Sequence, residues 1–120
     1  MPNKFLFDLL YHDGPLTSVF EVTDGLLEIW DWQYLDADKN AHVWLRYNTT
    51  PENLKRFIRN EINSYELVTS GMNHFKVVLD GQIEIVEEVS CPITEIPKNE
   101  SQFDYMFAIE PDTIKEFVNA

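Results

Sequence analysis

The stretch whose reading decides the fold runs from Leu26 to Asn48, LLEIWDWQYLDADKNAHVWLRYN. It alternates with period 2 on both sides of a polar cluster, Asp36, Asp38, Lys39 and Asn40, which makes two strands joined by a loop. A five-residue loop from Asp36 to Asn40 sets Leu35 against Ala41, Tyr34 against His42, Trp32 against Trp44 and Trp30 against Arg46. In that register all three tryptophans share one face of the hairpin. Trp32 and Trp44 then form an aromatic cross-strand pair worth roughly 0.2–1 kcal/mol over two alanines, and Arg46 lies over Trp30 as a cation–π contact. The other face carries Leu27, Ile29, Leu35, Val43, Leu45 and Tyr47, interrupted by Asp31 and Gln33. Two largely apolar faces predict a hairpin that is covered on both sides or that presents one side to something else.

Outward from this hairpin, Leu16 to Val22 reads as a strand, and Asp24-Gly25 supplies a two-residue turn into the tryptophan strand. The preceding KFLFDLLY, Lys4 to Tyr11, fits a strand or a short helix, since its length does not arbitrate; it ends at the turn His12-Asp13-Gly14-Pro15. After the hairpin, Thr50 caps a helix with Pro51 at its first position, or Thr49 does so with Glu52 closing a capping box. Leu54, Phe57, Ile58 and Ile62 give this helix, about 51–61, one apolar stripe, with Lys55, Arg56 and Arg59 outside. Asn63 and Glu66 form a second capping box for a short helix that stops at Gly71. FKVVL-DG-QIEIVEEV, Phe75 to Val89, is a second hairpin; a two-residue turn pairs His74 with Glu87 and Lys76 with Ile85. CPITEIPKNESQ, with Pro92 and Pro97, reads as a surface loop, FDYMFAI as a further strand or docking segment, and Pro111 to Val118 as a terminal helix with Ile114, Phe117 and Val118 inside. The expected architecture is one α+β domain over residues 1–120: an antiparallel sheet of about five strands built from hairpins, with the capped helix packed across it.

Size and composition narrow the classes. A chain of 120 residues holds a core without staples. No window approaches the roughly 18 consecutive apolar residues of a membrane span, and the short N-terminal apolar run, broken by Asp8, lacks a signal-peptide pattern. A cytoplasmic location is therefore expected, and the single Cys91 excludes an intrachain disulfide. With Glu87, Glu88 and Glu95 near it in sequence, Cys91 is expected to be structural, its thiol pKa raised rather than lowered. Nine Lys and Arg against 21 Asp and Glu leave a net charge of -12, which argues against direct nucleic-acid binding.

No spacing for chemistry emerges. His12, His42 and His74 stand alone, with no pattern that seats a metal; there is no strand-to-helix elbow for a serine nucleophile and no glycine-rich phosphate loop. No catalytic residue, cofactor or metal is expected. Asp31 is the exceptional carboxylate, because alternation places it among Leu27, Ile29, Leu45 and Tyr47; buried there it needs a donor or shifts upward in pKa. We expect it to bond a neighbouring group rather than to catalyse.

The segment from His12 to Val68 resembles a family of small, mostly bacterial domains of unknown function. The matching positions are the turn Asp13, Gly14, Pro15 and Leu16, then Trp30 and Asp31, then Trp44 and Leu45, then Leu54 and Ile62; the chain departs from the pattern at Ile62-Asn63-Ser64-Tyr65. The resemblance implies a fold and no activity. The function expected from the residues is a non-enzymatic protein-interaction or accessory module, binding a protein partner through a patch of Trp30, Trp32, Trp44, Arg46 and Asp31. An alternative is an acidic nucleic-acid mimic that inhibits a DNA-binding or defence protein. No membrane partner is expected, and the oligomeric state is left open.

Overall fold

The computed structural model describes residues 3–12, 14–23, 25–81 and 84–120. Asp13 of the first turn, Asp24 of the second and Gln82 of the second hairpin lie outside the described residues. Six strands, β1 (Lys4–Tyr11), β2 (Pro15–Thr23), β3 (Leu26–Asp36), β4 (Ala41–Thr49), β5 (Met72–Asp80) and β6 (Glu84–Ser90), lie side by side in chain order. Every neighbouring pair is antiparallel. Helices α1 (Pro51–Ile58) and α2 (Ser64–Ser70) connect β4 to β5, and α3 (Pro111–Asn119) closes the described chain.

The count is therefore six strands rather than five, and the extra one is KFLFDLLY. Phe7 and Leu9 are buried against the helices, and extended backbone places both there in a strand with three register shifts against β2. FDYMFAI is not a strand: it runs as a loop with a 3-10 turn at Tyr105–Phe107, and anchors by Phe103, whose ring lies 6.0 Å from that of Phe57. Helix α1 is also shorter than its apolar stripe, because Asn60 adopts a left-handed φ of 61° and turns the chain away. Ile62 is buried all the same, from beyond the helix.

The caps are where the residue types put them. Asn53 N donates to Thr50 Oγ1 at 3.2 Å with Pro51 at the first position, and Asn63 and Glu66 exchange both bonds of a capping box. Gly71 does end α2, but for a reason of space rather than of backbone sign. Its φ is -81°, and an added Cβ would come within 2.5 Å of Asn48 O and 2.9 Å of the Tyr47 ring.

All three helices pack on one side of the sheet. Leu54, Phe57, Leu67, Val68 and Ile114 join Phe7, Leu9, Val19, Leu27, Ile29 and Tyr47 in one continuous core. Each fully buried side chain of this kind contributes about 1.5–3 kcal/mol over its exposed state. The cations of α1 are not idle: Lys55 Nζ donates to Ala120 O at 3.0 Å and lies 5.6 Å from the Phe117 ring, and Arg59 donates to Val118 O at 3.4 Å. Positive charge thus meets the carbonyls at the end of α3, where a helix dipole favours it. No helix among the described residues is long and apolar enough to cross a membrane.

The two hairpin registers differ from expectation in instructive ways. Trp30 pairs with Arg46 and Trp32 with Trp44, but Gln33 is an extra, bulged residue, so that Tyr34 pairs with Val43, Leu35 with His42 and Asp36 with Ala41. The bulge rotates Tyr34 to the helix side and Leu35 to the tryptophan side, the reverse of strict alternation. In the second hairpin Lys76 pairs with Val89 and Val78 with Glu87, because the connection at Gly81 is longer than two residues and a second shift follows Val78.

Candidate functional site

The helix-free side of the sheet collects the tryptophans. Trp30, Trp32, Trp44 and Arg46 share it with Phe20 and Phe75, by alternation from the observed pairs. Trp44 is the inner member: it is 6% exposed, and the Trp30 ring meets it edge-on at 6.3 Å. Trp30 and Trp32 are half-buried. The Arg46 guanidinium lies 5.6 Å from the Trp30 ring and 5.0 Å from the Phe75 ring, and it forms an ion pair with Glu88 across the intervening strand.

Polar partners fix both outer indoles. Trp30 Nε1 donates to Glu28 Oε1 at 2.8 Å, and Trp32 Nε1 donates to His42 Nδ1 at 3.0 Å. An indole N–H only donates, so His42 accepts at Nδ1 and a neutral ring carries its hydrogen on Nε2. Trp44 Nε1, by contrast, is buried without a hydrogen-bond partner. The register sets Trp30, Trp32, Trp44 and Arg46 on one face, as the alternation predicts, but Asp31, the fifth residue expected in the patch, faces the other way. Nor does sequence reasoning separate Trp44, which is inaccessible, from the two indoles that a partner can touch.

Asp31 is on the other side. It points towards the helices, into a cavity of about 350 Å³ roofed by α2 and by the loop that contains Ile96, Pro97 and Asn99. That loop is tied to the start of α2, where Ser64 N donates to Ser101 O and Tyr65 N to Asn99 O, each at 2.8 Å. Two of the free N–H groups at the helix start are satisfied in this way. Thr17 and Leu10 close the floor from β2 and β1, and the bulged Gln33 lines one wall, its Nε2 donating to Asp31 O at 3.2 Å. A smaller recess of about 180 Å³ continues beside it under Tyr34, Val43 and Cys91.

Burial pushes the Asp31 carboxyl up to about 6, against the opposing pull of the Thr17 hydroxyl, which donates to Oδ1 at 2.7 Å, and of Tyr47. The Tyr47 phenol, buried beside the same carboxylate, is driven well above its ordinary value by desolvation and by that charge. Its hydroxyl is near enough to Asp31 for the two ionisations to interact, yet it makes no well-formed hydrogen bond. The described residues lining the cavity include no lysine, arginine or histidine, so the carboxylate has no counter-charge there.

The remaining candidates are structural. His74 is buried, stacked 5.7 Å from Tyr47, and its Nε2 donates to Val68 O at 2.6 Å, which ties β5 to α2. Desolvation, then Glu95, raise the Cys91 thiol pKa against a smaller effect of Lys76. Among the described residues no group of three or more His, Cys, Asp or Glu side chains is placed to hold a metal ion. Comparison with protein-family models, with curated proteins and with solved structures finds no match.

Proposed function

We propose that the protein is a non-enzymatic interaction module, acting in the cytoplasm, whose helix-free sheet face takes a protein segment carrying arginine or lysine. The observation that carries this reading is the pair of half-exposed indoles, Trp30 and Trp32, set on an uncovered sheet beside Phe20 and Phe75. Aromatic residues are enriched at protein interfaces because they offer large, rigid contact area. Here both indoles are oriented by Glu28 and His42 before any partner arrives, which lowers the ordering cost of association. Charge selects the partner. Asp8, Glu28 and Glu88 border the aromatic surface, and the chain carries a net charge of -12. Cationic side chains can stack on the indoles while pairing with those carboxylates.

The test combines fluorescence quenching with binding. Acrylamide should quench most of the tryptophan emission of the isolated monomer, and Trp30→Ala with Trp32→Ala should weaken partner binding by about tenfold or more, the range of an interface hot spot. Blue-shifted, quencher-resistant emission from the monomer removes the reading. The acidic-mimic alternative rests on net charge alone and has a different signature. Its binding should fall by orders of magnitude between low and physiological salt and be indifferent to Trp30 and Trp32.

A further inference from the structure

We propose that the cavity between the sheet and α2 is a binding site for a small organic ammonium ion with an apolar body, with Asp31 as its counter-ion. The anchor of this site is off the tryptophan face, since Asp31 and Trp30 project from opposite sides of β3, although Trp32, between Asp31 and Gln33, borders the cavity. The cavity, at about 350 Å³, lies at the lower end of the roughly 300–1,000 Å³ typical of small-molecule pockets. Leu45 lies beside Asp31 on the floor and Val68 and Ile96 face it from the roof, so an apolar body meets carbon on both sides. Thr17, Gln33, Ser64 and Asn99 add polar groups to the lining, in which Asp31 is the one carboxylate. That is the composition of a site that holds a largely apolar ligand and orients it through a few polar groups, of which one is charged.

Three features choose the class of ligand. Asp31 receives one hydrogen bond, from Thr17, and meets no cation among the described residues that line the cavity, so the site lacks one positive charge. A lone carboxylate is a poor cage for a hard divalent ion, which needs six or more oxygen ligands or several carboxylates, and no second acid stands in the lining. A protonated amine supplies one charge and up to three donors, and its carbon body fills the apolar remainder. The raised Asp31 carboxyl agrees with this: the protein holds that group in a place where its charge is uncompensated, and an ammonium ion would relieve the cost.

Cyclohexylammonium is a suitable probe, with cyclohexanol and cyclohexanecarboxylate as neutral and anionic controls of the same shape. At a pH above the Asp31 transition, titration followed by amide chemical shifts should move Thr17, Asp31 and Gln33. The neutral and anionic probes should bind at least about tenfold more weakly. Asp31→Asn keeps the shape and should bring cyclohexylammonium down to the level of cyclohexanol. The wild-type comparison stands by itself should the variant fold poorly. Equal binding of the three probes, or no shift of these amides by cyclohexylammonium at about 10 mM, overturns the proposal and leaves the cavity as hydrated space. Because the measurement reads a small ammonium ion at Asp31 and involves no protein partner, failure here leaves the partner-binding face untouched.

Discussion

The two faces of the sheet solve the same problem by different means. On the covered face, apolar side chains such as Ile29 and Leu27 are buried by helices that arrive from beyond β4 and from the end of the described chain. On the free face no helix joins the aromatic cluster, and Trp44 and Val77 are buried by their own neighbours on the sheet. On the covered face the recess between sheet and helices holds one carboxylate without a counter-charge, that of Asp31; the free face sets aromatic rings beside Arg46 and Glu88 and shuts one indole, that of Trp44, in. Burial therefore follows position within a layer, and the exceptional residue on each face is the one that tests it.

The largest effect should come from dividing the tryptophans. Trp44→Ala opens a hole under Trp30 and should cost about 3–5 kcal/mol, whereas Trp32→Ala, at a half-exposed site, should cost about 1 kcal/mol. Trp44→Phe should be much milder than Trp44→Ala, because the indole N–H that it deletes has no partner to lose. Urea midpoints of the three variants check this. Equal losses at positions 32 and 44 would mean that the free face has no inner layer.

On the covered face the sign is reversed, and removing a charge should stabilise. Folding raises the Asp31 carboxyl from 3.8 to about 6, so between those values the folded protein holds more protons than the unfolded one. This contribution is harmless below the lower value and grows into a penalty as pH rises through the upper one. Asp31→Asn should therefore match the wild type at about pH 3.5 and exceed it by roughly 2–3 kcal/mol at about pH 7.5. Denaturation of both proteins at the two pH values measures it. A difference independent of pH would show that Asp31 is not desolvated.

How much of this could be read from the chain follows the same division. The pairing of Trp32 with Trp44, the cation over Trp30, the caps at Thr50 and Asn63 and the unusual setting of Asp31 all rest on local periodicity and on short-range turn and cap chemistry. They were legible for that reason. The bulge at Gln33 was not, because no side chain announces an unpaired residue, and the facing of Tyr34 and Leu35 was lost with it. Nor could KFLFDLLY be assigned, since eight apolar-rich residues fit either period until Phe7 and Leu9 have a core to enter. The cavity joins β2, β3, α2 and the loop at Ile96, residues remote in sequence, so only the positions of its floor were visible beforehand.

The smallest effect separates geometry from mere charge at the centre of the free face. Arg46 is anchored three ways, over Trp30, over Phe75 and against Glu88, with its side chain 17% exposed and that of Glu88 39%. The ion pair is near the surface, so a double-mutant cycle between positions 46 and 88 should return about 0.5–1 kcal/mol, reduced by added salt. Arg46→Ala should cost more than Glu88→Ala, since it also removes two cation–π contacts of about 0.5–1 kcal/mol each. Arg46→Lys should recover little of this, because a point charge on a flexible stem cannot lie flat between two rings while meeting a carboxylate. If lysine restores full stability, the guanidinium contributes charge alone. The rings of Trp30 and Phe75 would then owe their placement to the sheet register rather than to the cation between them.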